Sequence, residues 1–298
     1  MERKDKSIMK SLSLQLDISD FLPADENEKQ SMVIMRESVS FWKDGLRRLA
    51  KNPLAMISLA VIIITILFAF VVPSFYPYSY EQQIYGSENL SPMEYSKEEL
   101  ALKEAGVKVF PHILGTDSLG RDLMIRIMMG TRISLLVGII ASAIILVIGS
   151  IFGSIAGYFG GKVDMIMMRI VDIIYTVPDF LVIILLSVTL KFPLRALADN
   201  VAGFEWINTV GVGLISIFIV FALLYWVGMA RIVRGQILSL KEQDYVIAAR
   251  ALGASHSRII RKHLLVNTIG TLIVTTTLQI PSSIFTESFL SFLGLGVS

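Results

Sequence analysis

Four uncharged, largely apolar runs punctuate the chain, at 54–72, 133–159, 206–230 and 264–286. The first has 19 residues, which at 1.5 Å per residue gives about 28 Å, close to a hydrocarbon core of about 30 Å. The other three are longer, beyond the roughly 20 residues that carry a helix across a bilayer. A fifth block, 165–190, contains Arg169, Asp172, Asp179 and an internal Pro178, yet 180–190 is uncharged and the whole is long enough to cross. The pattern predicts five spanning helices and an all-α, polytopic membrane fold. The first run is not expected to be a cleaved leader, because about 50 residues precede it and Pro73-Ser74-Phe75 makes a poor cleavage site.

The polar segments between these runs set the expected orientation, since Lys and Arg are retained on the cytoplasmic side. Residues 41–53 carry four bases to one acid, 160–169 two to one, and 231–263 seven to two. The alternate segments are poorer in bases: 73–132 has six against eight acids, and 191–205 has two of each. The N-terminus is therefore expected inside, with 73–132 an external segment and 231–263 a cytoplasmic loop. Residues 1–40 mix acids and bases without sustained periodicity and read as a cytoplasmic tail. In 41–53 the apolar Phe41, Trp42, Leu46 and Leu49 share one helical side and predict an interfacial helix leading into the first span. Five spans place 287–298 outside, with no further span after it.

Composition agrees with this picture and removes several chemistries. Of 298 residues 54% are hydrophobic and 17% charged, too apolar for an ordinary soluble domain. The absence of cysteine excludes disulfides, thiolate metal sites and cysteine nucleophiles, and three dispersed histidines leave little for a metal, so none is expected. A net charge of +2 provides no bulk field for nucleic acid.

Within the spans, Gly149, Gly153 and Gly157 recur every four residues and leave one helix face open to a close neighbour, in this chain or another. Arg169 and Asp172, three apart on one face, are expected to form a structural ion pair. Asp179, directly after Pro178, is an intramembrane acid and a candidate for a translocation path, or a partner for backbone amides at a proline kink. Glu287, near the outer end of the last run, is a weaker path candidate that can also reach the interface. In the external segment Thr116 or Asp117 is expected to cap the helix that enters the second span. The carboxylates there lack the alternation and distal Glu of a calcium loop.

The loop 231–263 is the most distinctive feature. Residues 244–252 read as a short Ala-rich helix, Gly253 as a break, and Ser255 as the cap of a second helix bearing Arg258, Arg261 and Lys262. Small alanines suit docking in a groove of another protein, and the same bases suit anionic lipid. Gly160-Gly161-Lys162 superficially suggests a phosphate loop, but Ala156 occupies the first Gly position and Val163 the Ser/Thr position, so no ATP hydrolysis is expected from this chain.

Residues 242–254 resemble the "EAA" loop of bacterial ABC importer permeases, and 114–122 resemble the LGTDxxGRD signature of their peptide and nickel branch. Further matching stretches are 130–135, 164–169 with Pro178, 230–235 and 286–296. The likeness runs from about Phe41 to Val297 and is greatest to the C-type permease subunit of oligopeptide or dipeptide importers. The resemblance implies a type I importer permease fold with five of the usual six spans, and alternating access across a bacterial cytoplasmic membrane. It implies that Tyr245, Ala248, Ala249, Gly253, Ala254 and Arg258 belong to a coupling helix docked on a cytoplasmic ATPase. Its implied partners are a second homologous permease, two ATP-binding subunits that carry the ATP and magnesium, an extracellular peptide-binding protein and membrane lipid. Two departures are visible: Ile247 stands where the motif has Glu, and Val266 where the family has Pro. Beside this reading stand ion-coupled secondary transport through Asp179 and Glu287, and a truncated, non-transporting membrane subunit.

Overall fold

A computed structural model describes residues 41–296, without the side chains of Phe41, Trp42 and Asp179; the expected tail 1–40 lies outside the described residues. Two bodies divide between Ile63 and Ile64. In the first, α1 (Phe41–Lys51) carries an exposed pair between Arg48 Nε and Asp44 Oδ2 at 2.7 Å, the i, i+4 spacing that brings two side chains together on a helix. Asn52 then starts α2 (Pro53–Phe70): its Oδ1 accepts the N–H groups of Leu54 and Ala55 at 3.1 and 3.3 Å, and Pro53 needs no partner in the first turn.

The second body continues through a 3-10 turn at Val72–Ser74 into the 73–122 segment, which holds α3 (Lys97–Glu104). Ser96 and Glu99 form a reciprocal capping box at its start. After it come α4 (Leu123–Phe159), α5 (Gly161–Thr176), α6 (Asp179–Asn200), α7 (Trp206–Val210) and α8 (Val212–Val220). A π turn at Phe221–Tyr225 leads into α9 (Trp226–Leu240), followed by α10 (Asp244–Ala251) and α11 (His256–Arg258). A second π turn, Ile259–Leu264, joins α11 to α12 (Leu265–Phe292). Among the described residues five stretches are long and apolar enough to cross a membrane: Pro53–Ser74, Leu123–Phe159, Phe180–Asn200, Val212–Leu240 and His256–Phe292.

Several boundaries depart from the hydrophobic pattern, each for a local reason. The block 165–190 is two helices rather than one. Pro178 lacks an N–H and pushes Val177 into an extended conformation (φ −86°, ψ 135°), so α5 ends and α6 begins afresh. Helix α6 also runs past Leu190 to Asn200 with Pro193 inside it. The second span starts as a helix at Leu123, ten residues before its uncharged run, because lipid solvation and helix formation end at different places. Its cap is Asp122, whose carboxylate accepts the Ile125 N–H at 3.0 Å. Thr116 and Asp117, the expected caps, serve instead as loop braces. Thr116 Oγ1 accepts from Leu90 N–H and donates to the Ser87 carbonyl, while Asp117 Oδ1 accepts from the Leu119 and Arg121 amides. The last span continues from Thr286 to Phe292, where Gly294 (φ 76°) lets the Leu295 N–H close back on the Leu290 carbonyl at 2.8 Å.

The core of this body is the seam of α4 with α9 and α12. Val137, Ala141 and Ile145 of α4 are buried with Val233 and Ile237 of α9 and Leu290 of α12. Backbones approach closely here. A Cβ on Gly149 would sit 2.6 Å from Met229 Cβ, one on Gly153 2.4 Å from the Ala230 carbonyl oxygen, and one on Gly157 2.9 Å from that of Arg234. The four-residue glycine repeat is thus filled by α9 of the same chain.

Candidate functional site: a hairpin clamped to the long helices

Helix α10 and the Gly253 turn form a hairpin at one end of the α4–α9 pair. Val246 faces inward and is fully buried, which anchors the helix. Its other face is open: Ile247 is 54% exposed and Leu252 89%. Ala248, Gly253 and Arg258 are exposed as well, whereas Ala249 and Ala254 are half-buried on the anchoring side. Gly253 adopts φ +81° and has nothing within 4 Å of where a Cβ would lie, so the turn needs glycine for its backbone conformation rather than for space. Its N–H donates to the Arg250 carbonyl, and the Ala254 N–H to that of Ala249, both at 3.0 Å. Ser255 holds the cap position of α11, but its hydroxyl makes no cap bond, and α11 is the start of the last span rather than a separate helix.

Polar contacts fix this hairpin to the span ends. Tyr158 Oη lies 2.8 Å from His256 Nδ1, and the Arg250 guanidinium sits 5.7 Å over the Tyr158 ring. The Tyr245 hydroxyl accepts from Asn267 Nδ2 at 3.2 Å, linking α10 to α12. Lys241 Nζ donates to the Gly157 carbonyl at 3.1 Å, tying the end of α9 to the end of α4. On the adjoining side Arg234 of α9 grips Asp164 of α5 through two nitrogens, Nη2 to Oδ2 at 2.6 Å. That hydrogen-bonded guanidinium holds the Asp164 carboxyl below its ordinary range.

The expected Arg169–Asp172 pair is not formed. Asp172 Oδ1 accepts from Arg231 Nη2 at 2.8 Å, and Arg231 also lies 4.4 Å over the Tyr175 ring. Among the described residues Arg169 is exposed and has no ion pair; a partner on α9 captures the acid that i, i+3 spacing had assigned within α5. Asp179 is the first residue of α6, and its side chain lies outside the described ones. Glu287 does not reach out toward the interface. It is 5% exposed, accepting from Ser291 Oγ at 2.7 Å and from Ser134 Oγ of α4 at 3.2 Å.

The 73–122 segment contains a buried cluster that spacing alone did not reveal. His112 is fully buried, with Nδ1 2.8 Å from Asp122 Oδ2 and Nε2 3.1 Å from Glu99 Oε1. Both contacts are satisfied together only by a proton on each ring nitrogen or one on a carboxyl. Tyr78 stacks on the imidazole at 4.4 Å; burial, then the charges of Glu99 and Asp122, push its phenol up to about 12. Asp122 thus serves the histidine and the α4 cap at once. Nearby, Asp117 loses some solvation, but the Arg121 and Leu119 amides and the Arg121 guanidinium outweigh that and lower its carboxyl to about 2. Arg126 also pairs with it.

Residues 149–298 match the family described as binding-protein-dependent transport system inner membrane component, and 40–92 match the N-terminal transmembrane domain of oligopeptide transport permease C. The chain is 41% identical over 277 residues to the oligopeptide transport system permease protein OppC of Bacillus subtilis (strain 168), covering 93% of this chain and 79% of the relative. Identity is also 41% with the dipeptide permease DppC of that organism, over 93% and 75%, and 37% with OppC of Escherichia coli (strain K12), over 87% and 75%. The chain belongs to the inner membrane component family of binding-protein-dependent transport systems, within its oligopeptide and dipeptide permease branch. It is a multi-pass membrane protein of all-α fold.

Proposed function

We propose that this chain is one permease subunit of an ATP-driven importer of short peptides, and that the hairpin 245–258 receives the motion of an ATP-hydrolysing partner. The observation that carries this is the hairpin's construction: an open face of Ile247, Ala248 and Leu252 above an anchored Val246, clamped to α4 through His256 and Tyr158 and to α12 through Tyr245 and Asn267. Ile247 and Leu252, 54% and 89% exposed on one side of the hairpin, give that face apolar area for a partner to cover. A push on that face reaches the span ends through contacts rather than through a loose loop.

ATP and magnesium belong to the partner in this reading, since the chain's own Gly160-Gly161-Lys162 lacks a phosphate loop's residues. A second permease subunit, a pair of ATPases and an extracellular peptide-binding protein complete the assembly. The base-rich segments 41–53 and 231–263 support a cytoplasmic N-terminus and hairpin, with 73–122 outside. The test is peptide uptake by cells whose own permease is deleted and replaced by Gly253→Trp. Uptake is expected to be lost while the protein still inserts and stays folded. Undiminished uptake would contradict docking at the hairpin.

A further inference from the structure

Where the first apolar run ends and the second begins, an open cleft of about 430 Å³ lies against the start of α4. Tyr76, Tyr78 and Tyr80 line it together with Ser74, Met129 and Arg132. Arg132 is exposed and directly precedes the uncharged run 133–159. Its guanidinium rests 5.2 Å from the Phe70 ring centroid, and among the described residues no carboxylate pairs with it. The other arginines of this part of the chain, Arg121 and Arg126, are both spent on Asp117. The Tyr76 and Tyr78 hydroxyls already donate, to Asp122 and to the Phe110 carbonyl, whereas the Tyr80 hydroxyl has no partner among the described residues. Asp122, the acid that Tyr76 reaches, is already engaged by His112 Nδ1 at 2.8 Å and by the Ile125 amide at 3.0 Å.

An unpaired guanidinium and a free phenol therefore face an open cleft at the level where hydrocarbon gives way to water. Pro73 and Ser74 of its wall are the last residues of the first candidate span, and Val71 and Val72, just before them in that span, are 44% and 38% exposed. The charge calls for an anion, and the apolar margin calls for one that carries acyl chains. We propose that this cleft binds the phosphate of an anionic phospholipid, with Arg132 as the cation that selects it and Tyr80 as a hydroxyl donor. A guanidinium forks two N–H groups onto phosphate oxygens, and its seat on Phe70 limits the freedom lost when it does so. A peptide carboxylate would meet the same guanidinium but brings no acyl chains to lie along the end of the first span.

The test is native mass spectrometry of the purified protein in detergent, supplied with equal phosphatidylglycerol and phosphatidylcholine. The wild type is expected to retain one phosphatidylglycerol in preference to phosphatidylcholine. Arg132→Gln is expected to lower that occupancy about fivefold, as loss of one basic contact at a membrane surface does. Arg132→Lys should retain part of it. Arg195→Gln, which removes an exposed arginine from α6, should leave it unchanged. Equal retention by Arg132→Gln, an equal loss in Arg195→Gln, or displacement of the lipid by equimolar glycerol phosphate or Asp-Asp dipeptide would each overturn the proposal.

Discussion

Asp164 and Arg234, 70 positions apart in the chain, meet side-on, both carboxylate oxygens facing guanidinium nitrogens, with Oδ2 and Nη2 at 2.6 Å. They lock α5 to α9 beside the end of α4. Asp172 and Arg231, eight and three residues away on the same helices, form a looser pair with both side chains more than a third exposed.

The two pairs should behave differently. Asp164→Asn is expected to cost about 2 kcal/mol, because it breaks a bidentate charged contact and leaves Arg234 half-buried without its partner. Asp172→Asn should cost no more than about 0.5 kcal/mol, the scale of an exposed pair. Thermal unfolding in detergent checks the ranking, and equal shifts for the two variants would contradict it. The Asp164 carboxyl is lowered, so its stabilisation is present above the ordinary carboxylate value and fades as pH falls through the lowered one.

Gly153 faces the Ala230 carbonyl so closely that one methyl group has no room. Gly153→Ala is expected to destabilise by about 1–3 kcal/mol through forced separation of α4 and α9. Gly228→Ala and Gly235→Ala, on α9 with nothing within 4 Å, should be neutral or slightly stabilising. Melting temperatures of the three variants decide the point; a tolerated Gly153→Ala would show that the seam is looser than drawn.

The 73–122 segment should lose stability in acid. Asp117 titrates at about 2 when folded against an ordinary value of 3.8, so its contribution is full above about pH 4 and is lost as pH falls through about 2. Asp117→Asn should remove that acid limb while lowering stability at neutral pH. Hydrogen exchange of the Leu119 and Arg121 amides, measured across that range, reads both effects.

The number of spans was legible in the sequence because hydrocarbon demands about 20 apolar residues and tolerates little else, whereas the third runs over Phe180–Asn200 rather than 165–190 because Pro178 breaks the helix. Gly253 could be read for a similar reason, since a helix break with φ +81° asks for glycine. Long-range polar partners could not be read. Spacing paired Asp172 with Arg169, but α9 brings Arg231 within 2.8 Å. His112 looked isolated until folding placed Glu99, ten or more residues before it, and Asp122, ten after it, on its two ring nitrogens. The Asp122 cap is not legible because four candidate acids and hydroxyls stand within 116–122, and the loop's own bonds decide among them.

Transmission through the hairpin is tested most directly by crosslinking. The chain has no cysteine, so Leu252→Cys is the single thiol in the protein and sits at a hairpin position that is 89% exposed. With the co-expressed transport complex in membranes, a short bifunctional reagent is expected to join this thiol to the ATP-hydrolysing subunit, with a yield that changes when ATP is added. Adducts to phospholipid alone, with no such subunit captured under any nucleotide condition, would contradict the account.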